Sequence, residues 1–212
     1  MKNYLLKYRK AFVFGTIVVM FLVGIGMTEL IIKQTQNFED IPVVNVEENE
    51  NKEETQPENE EVETLVKPVS DDVEMIRYFY DSNYDDKKLE QALIYFEGVY
   101  RPNLGVDFGK NNTVFDVNAS LSGTVSKKTN DPLLGWIVEI TSDNDIKITY
   151  QSLNEVTVNE GDKVNQGDKI AVSGKNVYES ELNNHLHFVL EKENQPVNPE
   201  TFFGQEVTNI TK

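Results

Sequence analysis

Short runs of β-branched and aromatic residues, separated by turn residues, extend from Val73 onward. Such runs are typical of β-strands, and we find no convincing amphipathic helix among them. Two Gly-Asp turns, at residues 161–162 and 167–168, add tight reversals, because glycine adopts positive φ and aspartate can hydrogen-bond its own backbone. The pattern predicts an all-β fold, a compact antiparallel sandwich or barrel. The predicted strand segments are 76–80, 92–96, 113–117, 123–125, 136–140, 146–150, 156–164, 169–174 and 185–190, with 87–92 open to a helical turn instead.

An apolar segment near the N-terminus predicts a membrane anchor. Residues 11–28 carry no charge, and the apolar run continues to residue 32 past a single Glu29. A run of about 20 residues crosses a hydrocarbon core of roughly 30 Å as a helix. Four basic residues within 1–10 precede it, so the positive-inside rule predicts a cytoplasmic N-terminus, a transmembrane helix over 11–32 and an extracytoplasmic remainder. A cleaved signal peptide is the alternative, although the apolar run is longer than is usual for one.

Residues 33–72 are predicted to form a disordered acidic linker. Between positions 34 and 72, thirteen Asp and Glu residues stand against two Lys, and few large apolar side chains remain to offset the entropy of ordering. Repulsion between like charges extends such a segment, so it would hold the folded part away from the membrane. The net charge of the whole chain, −16, argues against nucleic acid as a partner.

The only two histidines, His185 and His187, lie in the predicted strand 185–190. Side chains alternate faces along a strand, so both histidines point to one face, while Leu186 and Phe188 pack on the other. A pair of this kind can place two imidazoles at one metal ion or beside a scissile bond. The alternative is that the two histidines are merely tolerated in a half-buried strand.

An ordered set of motifs carries a resemblance to a known family. The motifs are Gly105-Val106-Asp107-Phe108, Gly123-Thr124-Val125, Tyr150-x-x-Leu153, the two Gly-Asp turns, Ser173-Gly174, His185-Leu186-His187-Phe188 and Pro196-Val197-Asn198-Pro199. In this order they resemble the LytM-type, lysostaphin-like M23 zinc endopeptidase domain, whose active members cut peptide cross-links in bacterial cell walls. The resemblance covers about residues 99–203 and leaves 204–212 as a C-terminal tail. Residues 73–98 are predicted to form an N-terminal extension of the folded part. Residues 75–81 and 95–103 are similar to the stage II sporulation protein Q family.

The resemblance implies a zinc-ligand set that this chain keeps only in part. Active members have His-x-Gly-x-Asp, in which the His and the Asp bind zinc, but here Asn103 stands in place of that His and Asp107 is retained. The third ligand corresponds to His187, and the histidine that aids proton transfer corresponds to His185. Ser152 stands where a further histidine helps to stabilise the transition state.

Asn103 is a poor replacement for a zinc-binding imidazole. Catalytic zinc sites use three protein ligands drawn from imidazole, carboxylate and thiolate, and the chain has no cysteine to compensate. Only Asp107 and His187 remain as metal-ligand remnants, and His185 would be lost as a base if it became a ligand. We therefore expect a degenerate metal site, with no cofactor and no peptidase activity, in which Asp107 and the two histidines form a hydrogen-bonded remnant.

Three functional hypotheses follow. The leading one is a membrane-anchored interaction protein that, by resemblance, projects from the forespore membrane into the intermembrane space. There it would dock a mother-cell membrane protein of the stage III sporulation A operon during engulfment. The first alternative is a zinc metalloendopeptidase with an altered ligand set that cleaves peptidoglycan cross-links. The second is a module that binds peptidoglycan without cleaving it.

Overall fold

The structure is a computed structural model that describes residues 62–212. The predicted transmembrane helix (11–32) and residues 33–61 of the predicted linker lie outside the described residues. Among residues 62–212, no helix is long and apolar enough to cross a membrane. Residues 62–212 have a hydrophobic core of their own.

Twelve β-strands and one short α-helix account for most of the regular structure in residues 62–212. The helix is α1 (Asp86–Glu90), and single turns of 3₁₀ helix lie at Ser180–Leu182, Pro199–Thr201 and Val207–Asn209. The strands are β1 (Glu74–Arg77), β2 (Leu93–Phe96), β3 (Val99–Pro102), β4 (Val106–Gly109), β5 (Asp116–Asn118), β6 (Gly123–Asp131), β7 (Gly135–Ser142), β8 (Ile146–Asn154), β9 (Lys163–Val164), β10 (Lys169–Ser173), β11 (His185–Lys192) and β12 (Gln195–Val197).

Ten of the strands form one sheet, in which β1, β4, β11, β8, β7, β6 and β9 are neighbours in that order. Strand β10 joins β5 to β8, and β12 pairs with β11. The remaining two strands, β2 and β3, pair only with each other. Every pairing of these strands is antiparallel, so the predicted antiparallel all-β class is confirmed for the domain.

The core lies on one face of the central strands. Leu186, Phe188 and Leu190 alternate along β11 and are fully buried, as period-two alternation predicts. The Phe188 ring packs edge-on against Tyr150 of β8, with ring centroids 5.5 Å apart. The Tyr150 hydroxyl accepts a hydrogen bond of 2.8 Å from the backbone N–H of Ser120, so this buried aromatic group also satisfies a backbone donor.

The first predicted strand, 76–80, is shifted toward the N-terminus in the structure, whereas the second, 92–96, is present as β2. Strand β1 ends at Arg77, and residues 78–80 continue with isolated backbone hydrogen bonds, such as Tyr80 N–H to the Asn103 carbonyl at 2.8 Å. The helical turn that the sequence left open is present as α1, with the Asp85 side chain accepting from the Lys88 N–H. The prediction that 156–164 is one strand was wrong, because the chain reverses at Gly161 (φ +91°) and only β9 is paired.

The boundary of the predicted linker at residue 72 was also wrong. Leu65 is fully buried, and its N–H donates to the Gln205 carbonyl at 2.9 Å. Val69 packs into the same core, so apolar residues inside the acidic run reach the domain. The segment 204–212 packs there as well, through Val207 and Ile210. The two ends of the described chain therefore help to close one core.

We predict that Tyr150→Phe destabilises the domain by about 1–3 kcal/mol, because the buried Ser120 N–H would lose its acceptor. The matched control is Tyr95→Phe, since Tyr95 is 51% exposed and a change in its hydroxyl alters no buried group. Denaturant midpoints of the two variants and the parent chain measure the effect. Equal midpoints for all three would show that the Tyr150 hydroxyl contributes nothing to stability.

Candidate functional site

Strands β4 and β11 bring together Asp107 and His187, the two residues predicted to be metal-ligand remnants. In their register, His187 lies directly opposite Asp107, and Leu186 lies opposite Phe108. The His187 Nδ1 atom is 2.8 Å from Asp107 Oδ1, and both side chains are at most 9% exposed. The two residues are 80 positions apart in the chain, and the pairing of the strands places them on the face opposite the core.

Asn103 lies at this pair, but its amide is already engaged. Its Nδ2 donates to Asp107 Oδ2 at 3.2 Å and to the Tyr78 carbonyl at 3.1 Å. Its Oδ1, the only atom that could ligate a metal, accepts from the N–H of Gly105 at 3.2 Å. Asn103 is fully buried, so this side chain acts as a hydrogen-bonding brace for the turn that leads into β4.

His185 and Ser152 form a second pair on the same face. Ser152 Oγ and His185 Nε2 are 2.8 Å apart, and the amide of Asn176 donates to Ser152 Oγ at 2.7 Å. The other ring nitrogen of His185, Nδ1, donates to the Asn183 carbonyl at 3.0 Å, because a carbonyl can only accept. The structure therefore places Ser152 beside the histidine pair, where it holds His185 in position.

Two further residues of the site, Arg77 and Glu179, were not predicted. Arg77 Nη1 is 2.8 Å from Glu179 Oε1 and 3.6 Å from Asp107 Oδ2, while Nη2 is 2.5 Å from Glu181 Oε1. Glu179 is 1% exposed and also reaches toward His187, with Oε1 3.6 Å from Nδ1. A charged residue in the apolar run 76–80 was a usable signal, since a buried charge needs a partner. Glu179 lies in a loop and had no such signal.

Burial and opposite charges shift the pKa values of the cluster in different directions. Burial by itself would raise the pKa of Glu179, but the charge on His187, the hydrogen bond from His185 and the charge on Arg77 outweigh it and lower that pKa to about 2. Burial would likewise lower the pKa of His187, yet Asp107 and Glu179 raise it to about 9. For Asp107, burial and then the nearby charge of Glu179 raise the pKa, against the opposing effect of His187.

Asp107, Glu179 and His187 offer one possible metal-ligand atom each, and these atoms lie within 4.8 Å of one another. Carboxylate and imidazole are suitable zinc ligands, and three of them are the usual number at a catalytic zinc. The surroundings do not fit a divalent cation, however, because the guanidinium of Arg77 contacts both carboxylates. The arrangement seen here therefore favours an internal ion cluster over a zinc site.

An open groove runs past the cluster on the face that carries His187. Its volume is about 560 Å³, and Leu104, Leu133, Tyr178 and Val189 form much of its apolar lining. Acidic side chains, including Glu139 and Glu191, contribute polar groups to the same groove. Its size and mixed lining suit a peptide-like ligand.

Comparison with known proteins supports the resemblance seen in the sequence. The model of Peptidase family M23 matches residues 101–199. Stage II sporulation protein Q of Bacillus subtilis (strain 168) is 39% identical over 154 residues, which are 71% of this chain and 54% of that protein. The chain thus spans about half the length of this curated relative.

Solved structures extend the comparison to the fold. A chain from the structure of the SpoIIQ-SpoIIIAH pore forming complex is 38% identical, with a TM-score of 0.68 over 69% of this chain and 95% of that chain. A chain from the crystal structure of a SpoIIIAH and SpoIIQ complex is 40% identical, with a TM-score of 0.64 over 65% and 99%. A zinc containing peptidase from Vibrio cholerae is 23% identical (TM-score 0.53, covering 64% of this chain and 39% of that chain), which shows a shared fold.

The family match, the identity to stage II sporulation protein Q and the position of Asp107 and His187 on paired strands agree with one another. Two of the motifs that carried the resemblance, Gly105–Phe108 and His185–Phe188, contribute Asp107 on β4 and the two histidines on β11 to the site. This chain therefore belongs to peptidase family M23, as a homologue in which the metal site is degenerate.

Proposed function

We propose that the described domain is an interaction module without peptidase activity, which docks a membrane protein of the stage III sporulation A group. The observation that carries the proposal is the similarity to a chain from the SpoIIQ-SpoIIIAH complex. The two chains are 38% identical, and the match covers 95% of the chain from the complex. With the predicted span (11–32), the protein would be a single-pass forespore membrane protein. Its domain would lie in the intermembrane space, and the acidic segment would act as a spacer.

The cluster supports the absence of peptidase activity. The amide oxygen of Asn103 accepts a hydrogen bond from the Gly105 N–H. By the family resemblance, Ser152 stands in place of a histidine that lies beside the reacting groups in active members, and here it contacts His185. Removal of a single donor that stabilises a transition state typically costs about 10²–10³ in rate. Because ligand and donor are both replaced, we infer that the domain neither holds catalytic zinc nor cleaves wall peptides.

The β2–β3 hairpin is the surface that we propose for docking. It lies outside the ten-stranded sheet and exposes Tyr95 (51%), Val99 (49%) and Tyr100 (67%). The Tyr95 and Tyr100 rings pack against each other, with centroids 4.9 Å apart, so part of the hairpin surface is already ordered before a partner binds. Tyrosine is one of the residues that dominate binding energy at protein interfaces.

We expect the detergent-solubilised full chain to form a stable one-to-one complex with the extracytoplasmic domain of a stage III sporulation A membrane protein from the same organism. The complex should persist in excess EDTA, because no metal ion takes part in it. Size-exclusion chromatography with light scattering measures its stoichiometry. A complex that dissolves on chelation, or that never forms, contradicts the proposal.

The double variant Tyr95→Ala/Tyr100→Ala should weaken this complex about tenfold or more, since truncating an aromatic hot spot costs at least about 1.4 kcal/mol. Val114→Ala is the matched control, because Val114 is exposed (57%) and lies outside the hairpin. Dissociation constants from calorimetry compare the three proteins. An unchanged dissociation constant for the tyrosine variant would show that the interface does not include these hairpin tyrosines.

The groove beside His187 favours a second candidate function, the binding of peptidoglycan without cleavage. Leu104 lines the groove and is 51% exposed, so Leu104→Glu should weaken peptide binding there without disturbing the core. We expect the parent chain to co-sediment with purified peptidoglycan more strongly than this variant, and neither protein to release soluble fragments. Fragment release that depends on added zinc would instead support the peptidase alternative.

A further inference from the structure

We propose that Arg77 is a built-in cation that takes over the charge role of the zinc ion in this fold. Its removal would turn Asp107, Glu179 and His187 into a site for a divalent metal. The inference concerns the buried cluster alone and does not depend on the partner that the domain binds. The proposal explains why three possible ligand atoms converge although Asn103 stands where active members of the family have a zinc-binding histidine.

The position of Arg77 follows from the pairing of three strands. Arg77 of β1 lies opposite Asp107 of β4, which in turn lies opposite His187 of β11. The register of β1 shifts between Met75 and Arg77, and such a bulge re-aims the side chain that follows it. The three residues therefore lie side by side across the sheet edge, with the guanidinium directed into the cluster.

The guanidinium satisfies the carboxylates that a metal ion would otherwise neutralise. Its Nη1 atom contacts Glu179 Oε1 at 2.8 Å and lies 3.6 Å from Asp107 Oδ2. Its second terminal nitrogen holds Glu181 at 2.5 Å, and the arginine side chain is 8% exposed. Arginine is suited to this task because its fixed fork of donors serves several carboxylates and stays charged at any physiological pH. A divalent cation at the same carboxylates would face this fixed positive charge at close range.

Asn103 completes the same arrangement. Its Nδ2 donates to Asp107 Oδ2, so both oxygens of that carboxylate already accept from protein groups, His187 being the partner of Oδ1. Where active members of the family have a histidine that binds zinc, this chain has an amide that braces the carboxylate. In this proposal, Arg77 takes the place of the metal cation and Asn103 takes the place of one metal ligand, so the cluster consists of protein groups alone.

The test is zinc content of the purified, detergent-solubilised full chain after incubation with zinc and desalting. Parent protein and Arg77→Lys, which keeps the charge, should retain little zinc. Arg77→Met, which keeps the length of the side chain without its charge, should retain at least about tenfold more and approach one zinc per chain. Adding His187→Ala to Arg77→Met should abolish the gain, because one of the three ligands is then missing.

Thermal unfolding separates this role from a merely structural one. Zinc should raise the unfolding temperature of Arg77→Met and leave that of Arg77→Lys unchanged, since a ligand stabilises only the folded state that binds it. If Arg77→Met does not fold alone, recovery of the folded protein by added zinc is the expected result. Two outcomes overturn the proposal: near-stoichiometric zinc in the parent chain, or an Arg77→Met variant that neither gains zinc nor responds to it.

Discussion

The carboxylate of Asp107 is not exposed to solvent, and side chains from several strands supply its partners. Burying an ionised carboxylate costs several kcal/mol unless donors and opposite charges surround it. Here His187 from β11, Asn103 from the turn before β4 and Arg77 from β1 approach it at 2.8, 3.2 and 3.6 Å. A slip of one residue in either strand pairing would turn a partner to the opposite face and leave the carboxylate alone. The cluster therefore specifies register as well as charge balance.

From Asp107 the network continues without a gap to the second histidine. Glu179 connects Arg77 to Asn176, whose amide donates to both Glu179 Oε2 and Ser152 Oγ, and Ser152 contacts His185. Among the described residues, the buried side-chain polar atoms without a partner are Ser120 Oγ and Glu200 Oε1, and neither belongs to this network. A buried polar network is stabilising only when it is complete, and this one is complete with protein groups alone.

Local and periodic sequence patterns predicted correctly the fold class and the shared face of the two histidines. The alternation of β11 predicted that His185 and His187 share a face, and the ordered motifs predicted the M23 domain that the comparison confirmed. Glu179 could not be predicted, because it lies in a loop and meets Arg77 across 102 positions of sequence. The linker boundary failed for a related reason, since composition averaged over an acidic run conceals single buried residues such as Leu65.

Exposure separates the two regions that give this domain its proposed role. A hydrolytic metal site must admit substrate and water, yet Arg77 and His187 are each 7% exposed and His185 is fully buried. The β2–β3 hairpin, by contrast, exposes aromatic side chains, with Tyr95 51% and Tyr100 67% exposed. The tyrosines are therefore accessible to a partner, whereas Arg77 and His187 act within a buried ion cluster and so affect stability. The fold of such a domain does not require a bound metal, because the buried carboxylates already have protein partners, and the exposed hairpin tyrosines remain available for the proposed docking.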